Sequence, residues 1–455
     1  MLVLLVLGLL AIGAARDISR MGEALPWHQL YDFADFYCAG TAVNAGADPY
    51  RYEPLHGCEH AVNTSQAYRN DPARVVPAPL PPYDLPPFAL LARAGFPAAR
   101  VLDAAAILLA LAGCIAGLRM LGVPLDVAAL ALALPAGFVL LAAGQVVPFA
   151  LLALVWCGVC LAEERNGAAG LFAALTLVEP HLGLPVCAAV LLFSPRSRVW
   201  LLAAAALATA AGIATVGFAA SLEYVTRVLP AQAAAETSYA YQFSLTYLLS
   251  TAGVPARAAL AAGDLSYALL AALGVWAAAR AAGHTARREL IAFVPAVSSV
   301  VAGPYVHMVD LPFALPAALV LATQLRGRFR DVSAIALCVL SVPWIAVWIA
   351  KKLFLASLFV TGALLFRLAV APALSAATFA AIAAAIYCFE LAPPAAFVVT
   401  TTRAVAANAL AQTAWSRYVA QLWRGSLAWL AIKIPAWAAL AALLAASAAA
   451  PQERR

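Results

Sequence analysis

The chain has 455 residues, 65% of them hydrophobic and 11% charged, with a mean hydropathy of +0.90. A soluble globular domain carries about 25% charged residues, so that class is excluded. The net charge of +6 comes from short basic clusters between apolar runs, at Arg196 and Arg198, at Arg287 and Arg288, and at Arg326, Arg328 and Arg330. That is the pattern of cytoplasmic loops, not of a nucleic-acid surface.

Backbone groups in lipid must be satisfied internally, which leaves helices or a closed barrel. Barrel strands alternate polar and apolar residues over about ten positions. Here the Ala, Leu and Val runs are unbroken, so an all-α polytopic membrane protein of about 12–14 spans is expected.

The first apolar run, Met1–Ala15, is short, lacks a basic start and ends in small residues. A cleaved leader and a retained first span both fit; the retained span is the reading taken, and either puts the next segment outside. That segment, residues 16–100, is the one long polar stretch, with Trp27, His28, Asp32, Asp35, Asp48, Tyr50, Arg51 and a proline-rich tail from Pro77 to Pro87. Cys38 and Cys58 lie in it, on the side where disulfides persist; bridged and free forms both remain open. Cys157 and Cys160 form a CxxC inside an apolar run and are expected to be buried and inert.

Further spans are expected at 101–121, 126–142, 146–162, 168–178, 182–193, 199–219, 258–280, 289–303, 311–324, 332–350, 353–370, 372–391 and 425–449. Several are short for a core that takes about 20 residues to cross, and some can be half-spans. Alternating from an outer first loop puts Arg119, Glu163–Arg165, Arg196–Arg198, Arg287–Arg288, Arg326–Arg330, Arg367 and Arg454–Arg455 inside. Lys351 and Lys352 fall outside, against the rule, which suggests an anionic partner. Residues 393–424 read as an outer amphipathic segment before the last span.

The outer set then holds Gly144–Gln145, Glu179–Pro180–His181, residues 221–257 and Pro304–Asp310. Asp32 and Asp35 are spaced i, i+3; either can be a general base, and Asp32 can equally be a helix N-cap. Gln145 suits a turn or a polar contact. The proline after Glu179 breaks a helix, leaving a plain turn or a contact to sugar or phosphate from Glu179 and His181. His307 and Asp310 are costly at membrane depth and point to function.

Five segments in order carry a resemblance: DFADFYCAGTAVNAGADPY (32–50), PPYDLPPFALLARAGFP (81–97), GQVVPFALLAL (144–154), LTLVEPHLGLPVCAAVLL (175–192) and GPYVHMVDLPFALPAALVL (303–321). Together they resemble glycosyltransferase family 87, polyprenyl-phosphate-dependent enzymes of the GT-C superfamily that include phosphatidylinositol mannoside mannosyltransferases. The resemblance covers about residues 1–325 and implies a catalytic GT-C membrane core there, with 326–455 as additional C-terminal helices. It implies a polyprenyl-phosphate sugar as donor, usually mannose, and a lipid or glycan acceptor. It implies no required cofactor or metal, and a bacterial plasma-membrane site facing outward.

By spacing to Ala39–Gly40 the family's catalytic aspartate falls on Asp32, with Asp35 second, and its histidine near the donor phosphate on His307. Glu179 stands where relatives have lysine, and Lys351 and Lys352 are expected to supply the missing charge; Gln145, His181 and Asp310 complete the expected donor site. A transporter or lipid-carrier flippase, or an inactive relative, is the competing reading. The polar sites at span ends, and the absence of an internal repeat, argue against transport.

Overall fold

The computed structural model describes residues 1–455 except 23–24, 29, 64, 302, 351, 392–404, 423–426 and 450–455. Among the described residues every regular element is a helix, and strand-like pairing is limited to two bridges, Arg51 with Leu410 and Gln242 with His307. Seven helices are long and apolar enough to cross a membrane: Leu2–Ser19, Phe96–Met120, Pro195–Val216, Ala256–Thr285, Gly327–Ala350, Pro372–Phe389 and Leu427–Ala448. Shorter apolar helices of 10–17 residues fill the other expected positions: Leu125–Leu141, Val147–Ala162, Asn166–Val178, Pro180–Phe193, Leu290–Ser299, Leu311–Gln324 and Phe354–Arg367. The chain is an all-α polytopic membrane protein.

Leu2–Ser19, Pro195–Val216, Ala256–Thr285 and Pro372–Phe389 are mostly exposed, whereas Gly327–Ala350 is largely buried among its neighbours. Leu5, Leu9, Val101, Leu109, Val199, Leu207, Leu265 and Leu269 present bare apolar side chains, as a lipid-facing surface requires. All ten residues of Leu290–Ser299 are buried. Small residues let the central helices approach: a Cβ on Gly158 would stand 2.3 Å from the Phe293 ring, and one on Gly274 would stand 2.0 Å from Ser298 Oγ.

Polar groups sort to two ends of this bundle. At one end Arg287 donates to Gln324, which donates to the Gly122 carbonyl. Arg288 pairs there with Glu164, Arg367 with Asp126, and Arg330 donates to the Leu368 carbonyl. Those are the connections that alternation placed on one side. Gln145, Glu179, His181 and Asp310 sit at the other ends of the same short helices. Val147–Ala162, with 16 residues, is about 24 Å long, less than the roughly 30 Å of a hydrocarbon core, so its polar end lies below the level a full span reaches.

Four helices build a cap over that second end: Phe33–Asn44, Tyr52–Val62, Leu85–Ala92 and Ala411–Leu422. Gly40 lets the first lie backbone to backbone on the third, since a Cβ there would be 2.4 Å from the Phe88 carbonyl carbon. The Cys38–Cys58 disulfide ties the first to the second. The fourth is pinned by backbone hydrogen bonds, Tyr52 N to Ala409 O at 2.8 Å and Ala411 N to Tyr50 O at 3.0 Å. Of the segment 393–424, residues 392–404 and 423–426 are outside the described residues; the remainder is this fourth helix and its lead-in. Cys157 and Cys160 are buried thiols, as expected.

The disulfide closes a loop with a sequence separation of 20, which in the chain-entropy account contributes about 3 kcal/mol. Cys58→Ser is expected to lower the unfolding midpoint of the purified protein by several degrees, and alkylation without reductant should leave Cys38 and Cys58 unmodified. Alkylation of both without reductant would remove the bridge.

Candidate functional site

The site begins at Pro135. A proline inside Leu125–Pro135 removes a backbone donor, and the helix continues as a wide π-turn over Ala136–Leu141. It stops at Gly144, whose φ of +70° favours glycine. A Cβ there would also stand 3.1 Å from Phe33 Cβ and 3.2 Å from Leu30, so the bare glycine seats the segment that carries Asp32. Backbone N–H groups of Tyr31 and Asp32 donate to the carbonyls of Ala142 and Ala143, at 3.1 and 2.8 Å. The next residue, Gln145, donates from Nε2 to Asp32 Oδ2 at 2.5 Å.

Asp32 occupies the N-cap position of Phe33–Asn44, but its side chain makes no capping hydrogen bond. Its carboxylate accepts from Gln145, and the residue is half-buried, so solvent still reaches it. Burial raises the Asp32 carboxyl above the usual aspartate range; the Gln145 hydrogen bond and the charges of His307 and Arg74 oppose that rise, and Glu236 adds to it. Asp35 is placed differently. It is 2% exposed and faces Tyr68, whose hydroxyl lies 3.5 Å from Asp35 Oδ1 and donates to Glu59 Oε2 at 2.7 Å.

His307 lies on an extended loop paired with residues 241–243: Phe243 N donates to Val306 O at 2.6 Å, and Val306 N to Gln242 Oε1 at 2.9 Å. The i, i+3 spacing of His307 and Asp310 therefore closes a turn, with His307 N donating to Asp310 Oδ2 at 2.6 Å. The ring's Nε2 meets Glu236 Oε2 at 2.5 Å. Burial opposes the imidazolium, yet the charge and hydrogen bond of Glu236, with Asp310 and Asp32 behind, raise His307 above its ordinary value. Tyr305 stacks on the His307 ring with centroids 4.6 Å apart.

Glu236 is a hub that the sequence reading did not single out. Gln232 and Trp415 donate to its Oε1, at 2.8 and 2.7 Å, and Gln242 to its Oε2 at 2.8 Å. His181, carried by the helix that Pro180 starts, joins Asp310 Oδ2 at 3.2 Å and Glu179 Oε2 at 3.5 Å. Asp32, Gln145, His307, Asp310, His181 and Glu179 thus share one recess.

Lys352 does not join it. Its Nζ is exposed and donates to the Arg20 carbonyl at 3.0 Å, at the end of Leu2–Ser19. A lysine following Trp344–Ala350 is carried toward the first helix, so the expectation that it supplies the missing charge to the His307 group is not met in this structure. Lys351 lies outside the described residues. Among the described arginines and lysines, Arg74 is the one whose charge acts on Asp32, more weakly than that of His307, and it also acts on Tyr239. No His, Cys, Asp or Glu grouping suited to a metal ion occurs among the described residues.

The roof is the helix Ala411–Leu422. Ala411, Ala414, Trp415, Tyr418 and Val419 are buried at helical spacing, so one face packs down. Trp415 reaches Glu236 and packs edge-on to Tyr239, while Tyr418 accepts a hydrogen bond from Arg74. Spacing alone marked this helix as amphipathic; nothing in one sequence told whether its apolar face meets lipid or a polar site.

Comparison of the chain with family models, with curated proteins and with solved structures finds no match.

Burial pushes Glu59 from 4.5 up to about 8, against hydrogen bonds from Tyr68 and Val76 and the charge of Arg74. An unfolded chain loses that proton near 4.5 and the fold keeps it to about 8. Between those values the fold binds more protons, so stability falls as pH rises through the window. Thermal unfolding in detergent from about pH 5 to 8 should show that fall, and Glu59→Gln should flatten it. An unchanged slope in the variant would place an ionised Glu59 in the fold.

Proposed function

We propose that the chain is a membrane glycosyltransferase of the GT-C type, moving a sugar, mannose by resemblance, from a polyprenyl phosphate to a lipid or glycan acceptor at the outer face of a bacterial plasma membrane. The observation that carries the reading is the Asp32 carboxylate, gripped by Gln145 and open to a recess shared with His307. The five resembling segments are remote in sequence, and residues from four of them, Asp32, Gln145, Glu179 with His181, and His307 with Asp310, line that recess.

In the proposed reaction an acceptor hydroxyl enters the recess and gives its proton to Asp32 as its oxygen attacks the anomeric carbon. The bond from that carbon to the phosphate oxygen breaks, and polyprenyl phosphate leaves with the electron pair. One displacement inverts the anomeric centre, the logic of inverting glycosidases with the acceptor in place of water. A carboxyl raised by burial is a better base near neutral pH than an exposed one. Protonated His307 favours the departing phosphate. Asp35, enclosed behind Tyr68 and Glu59, is poorly placed to meet an acceptor, which favours Asp32 over it. The walls are interrupted helices, at Pro135, at Glu179–Pro180 and before Pro304, and that feature also suits a transporter or flippase.

Asp32→Asn keeps the size and the Gln145 contact but cannot take a proton. With radiolabelled polyprenyl-phosphate mannose and a host lipid extract, it should reduce transfer by about 100-fold or more, with expression and unfolding midpoint retained. Transfer persisting in D32N but lost in D35N would move the base to Asp35. Carrier movement across a bilayer by wild type, with no labelled product, would favour the flippase.

A further inference from the structure

Charges in the recess are nearly all committed. Glu236 faces His307, and Glu179 and Asp310 both face His181. Asp32 accepts from Gln145, and Asp35 and Glu59 share Tyr68. Arg74 makes no ion pair, although its charge acts on Asp32, Asp35 and Glu59. No carboxylate stands within ion-pair distance of its guanidinium among the described residues. Its Nε is fully buried and has no hydrogen-bond acceptor.

The group is nevertheless held in place. The guanidinium carbon lies 4.2 Å from the Tyr418 ring centroid and 5.2 Å from that of Tyr68, and one terminal nitrogen donates to the Tyr418 hydroxyl. Stacking between two tyrosines fixes the plane of the fork while neutralising none of its charge. A buried donor without an acceptor costs about 1–3 kcal/mol. An anion with several oxygens would supply what is missing, and guanidinium binds phosphate oxygens through paired N–H groups.

We propose that Arg74 is the phosphate-binding residue of the recess, holding the phosphate of the lipid donor beside Asp32. This rests on the lipid-phosphate reading of the site. It replaces Lys352, which the fold carries to the Arg20 carbonyl, with a residue of the outer loop. A single guanidinium also suits a monoester phosphate on one carrier lipid, and Tyr418, which holds it, stacks on the Trp415 that bonds Glu236.

Purified full-length protein in nanodiscs would be tested for binding of a sugar-free polyprenyl monophosphate, the matching neutral polyprenol, and inorganic phosphate. Wild type should prefer the phosphorylated lipid to the alcohol. Arg74→Gln should lose about tenfold or more of that preference, Arg74→Lys should keep part of it, and Tyr418→Phe, which retains the ring, should lose only a few-fold. As a check that needs no variant, the phosphorylated lipid should protect Arg74 of wild type from phenylglyoxal, read by mass spectrometry, and the alcohol should not. Wild-type discrimination that persists undiminished in R74Q, or lipid binding without protection, would make Arg74 only a tether for the roof. Equal protection by inorganic phosphate would assign a free-anion site and overturn the lipid assignment. A wild type that does not distinguish phosphate from alcohol would overturn the donor reading itself.

Discussion

The hydrogen bond from Gln145 to Asp32 is the contact around which the polar end of this protein is arranged. A carboxylate set into a membrane bundle is tolerable only with donors around it. Placing this one takes a proline-led π-turn, a glycine at φ +70° and two backbone hydrogen bonds from the Asp32 segment to the same turn. The rest of the cap holds the helix behind Asp32 in register: Gly40 lets it lie on Leu85–Ala92, and the disulfide ties it to Tyr52–Val62. Geometry at the carboxylate is therefore a consequence of backbone packing, not of a flexible side chain finding its partner.

The same economy governs the other charges. In a medium of low dielectric an unpaired charge is expensive, so each histidine of the recess is set against a carboxylate. Glu236 goes further and accepts from His307, Gln232, Gln242 and Trp415 together. Such a hub orders three separate stretches of chain, residues 232–242, the His307 loop and the roof helix. The hub carboxylate is well supplied with donors, although Gln232 Oε1 beside it has no hydrogen-bond partner.

What was legible in the sequence were the places where an apolar run is interrupted. Gly144–Gln145, Glu179–Pro180–His181 and the His307–Asp310 turn stood out because a polar group inside such a run is costly and needs a reason. The basic clusters sorted the loops into two sets, and the structure gathers the polar contacts of each set at one end of the bundle. Glu236, Arg74, Trp415 and Tyr418 were not legible, because a polar residue in a long polar loop is unremarkable. Their partners are also remote: Arg74 meets Tyr418 across 344 positions and Glu236 meets Trp415 across 179. Lys352 misled for the opposite reason, since a charge out of place invites a functional role, and here its ammonium closes the end of a helix.

The roof helix joins the part of the chain after residue 325 to the recess built before it. Its two polar anchors land on groups of the recess itself, Trp415 on the hub that holds His307 and Tyr418 on the guanidinium that acts on Asp32. A cover attached to inert scaffold could open without consequence beneath it. This one cannot: lifting Trp415 takes a donor from Glu236, and lifting Tyr418 frees Arg74 to seek another acceptor. The position of the roof helix and the hydrogen bonding of Glu236 and Arg74 are thus tied together.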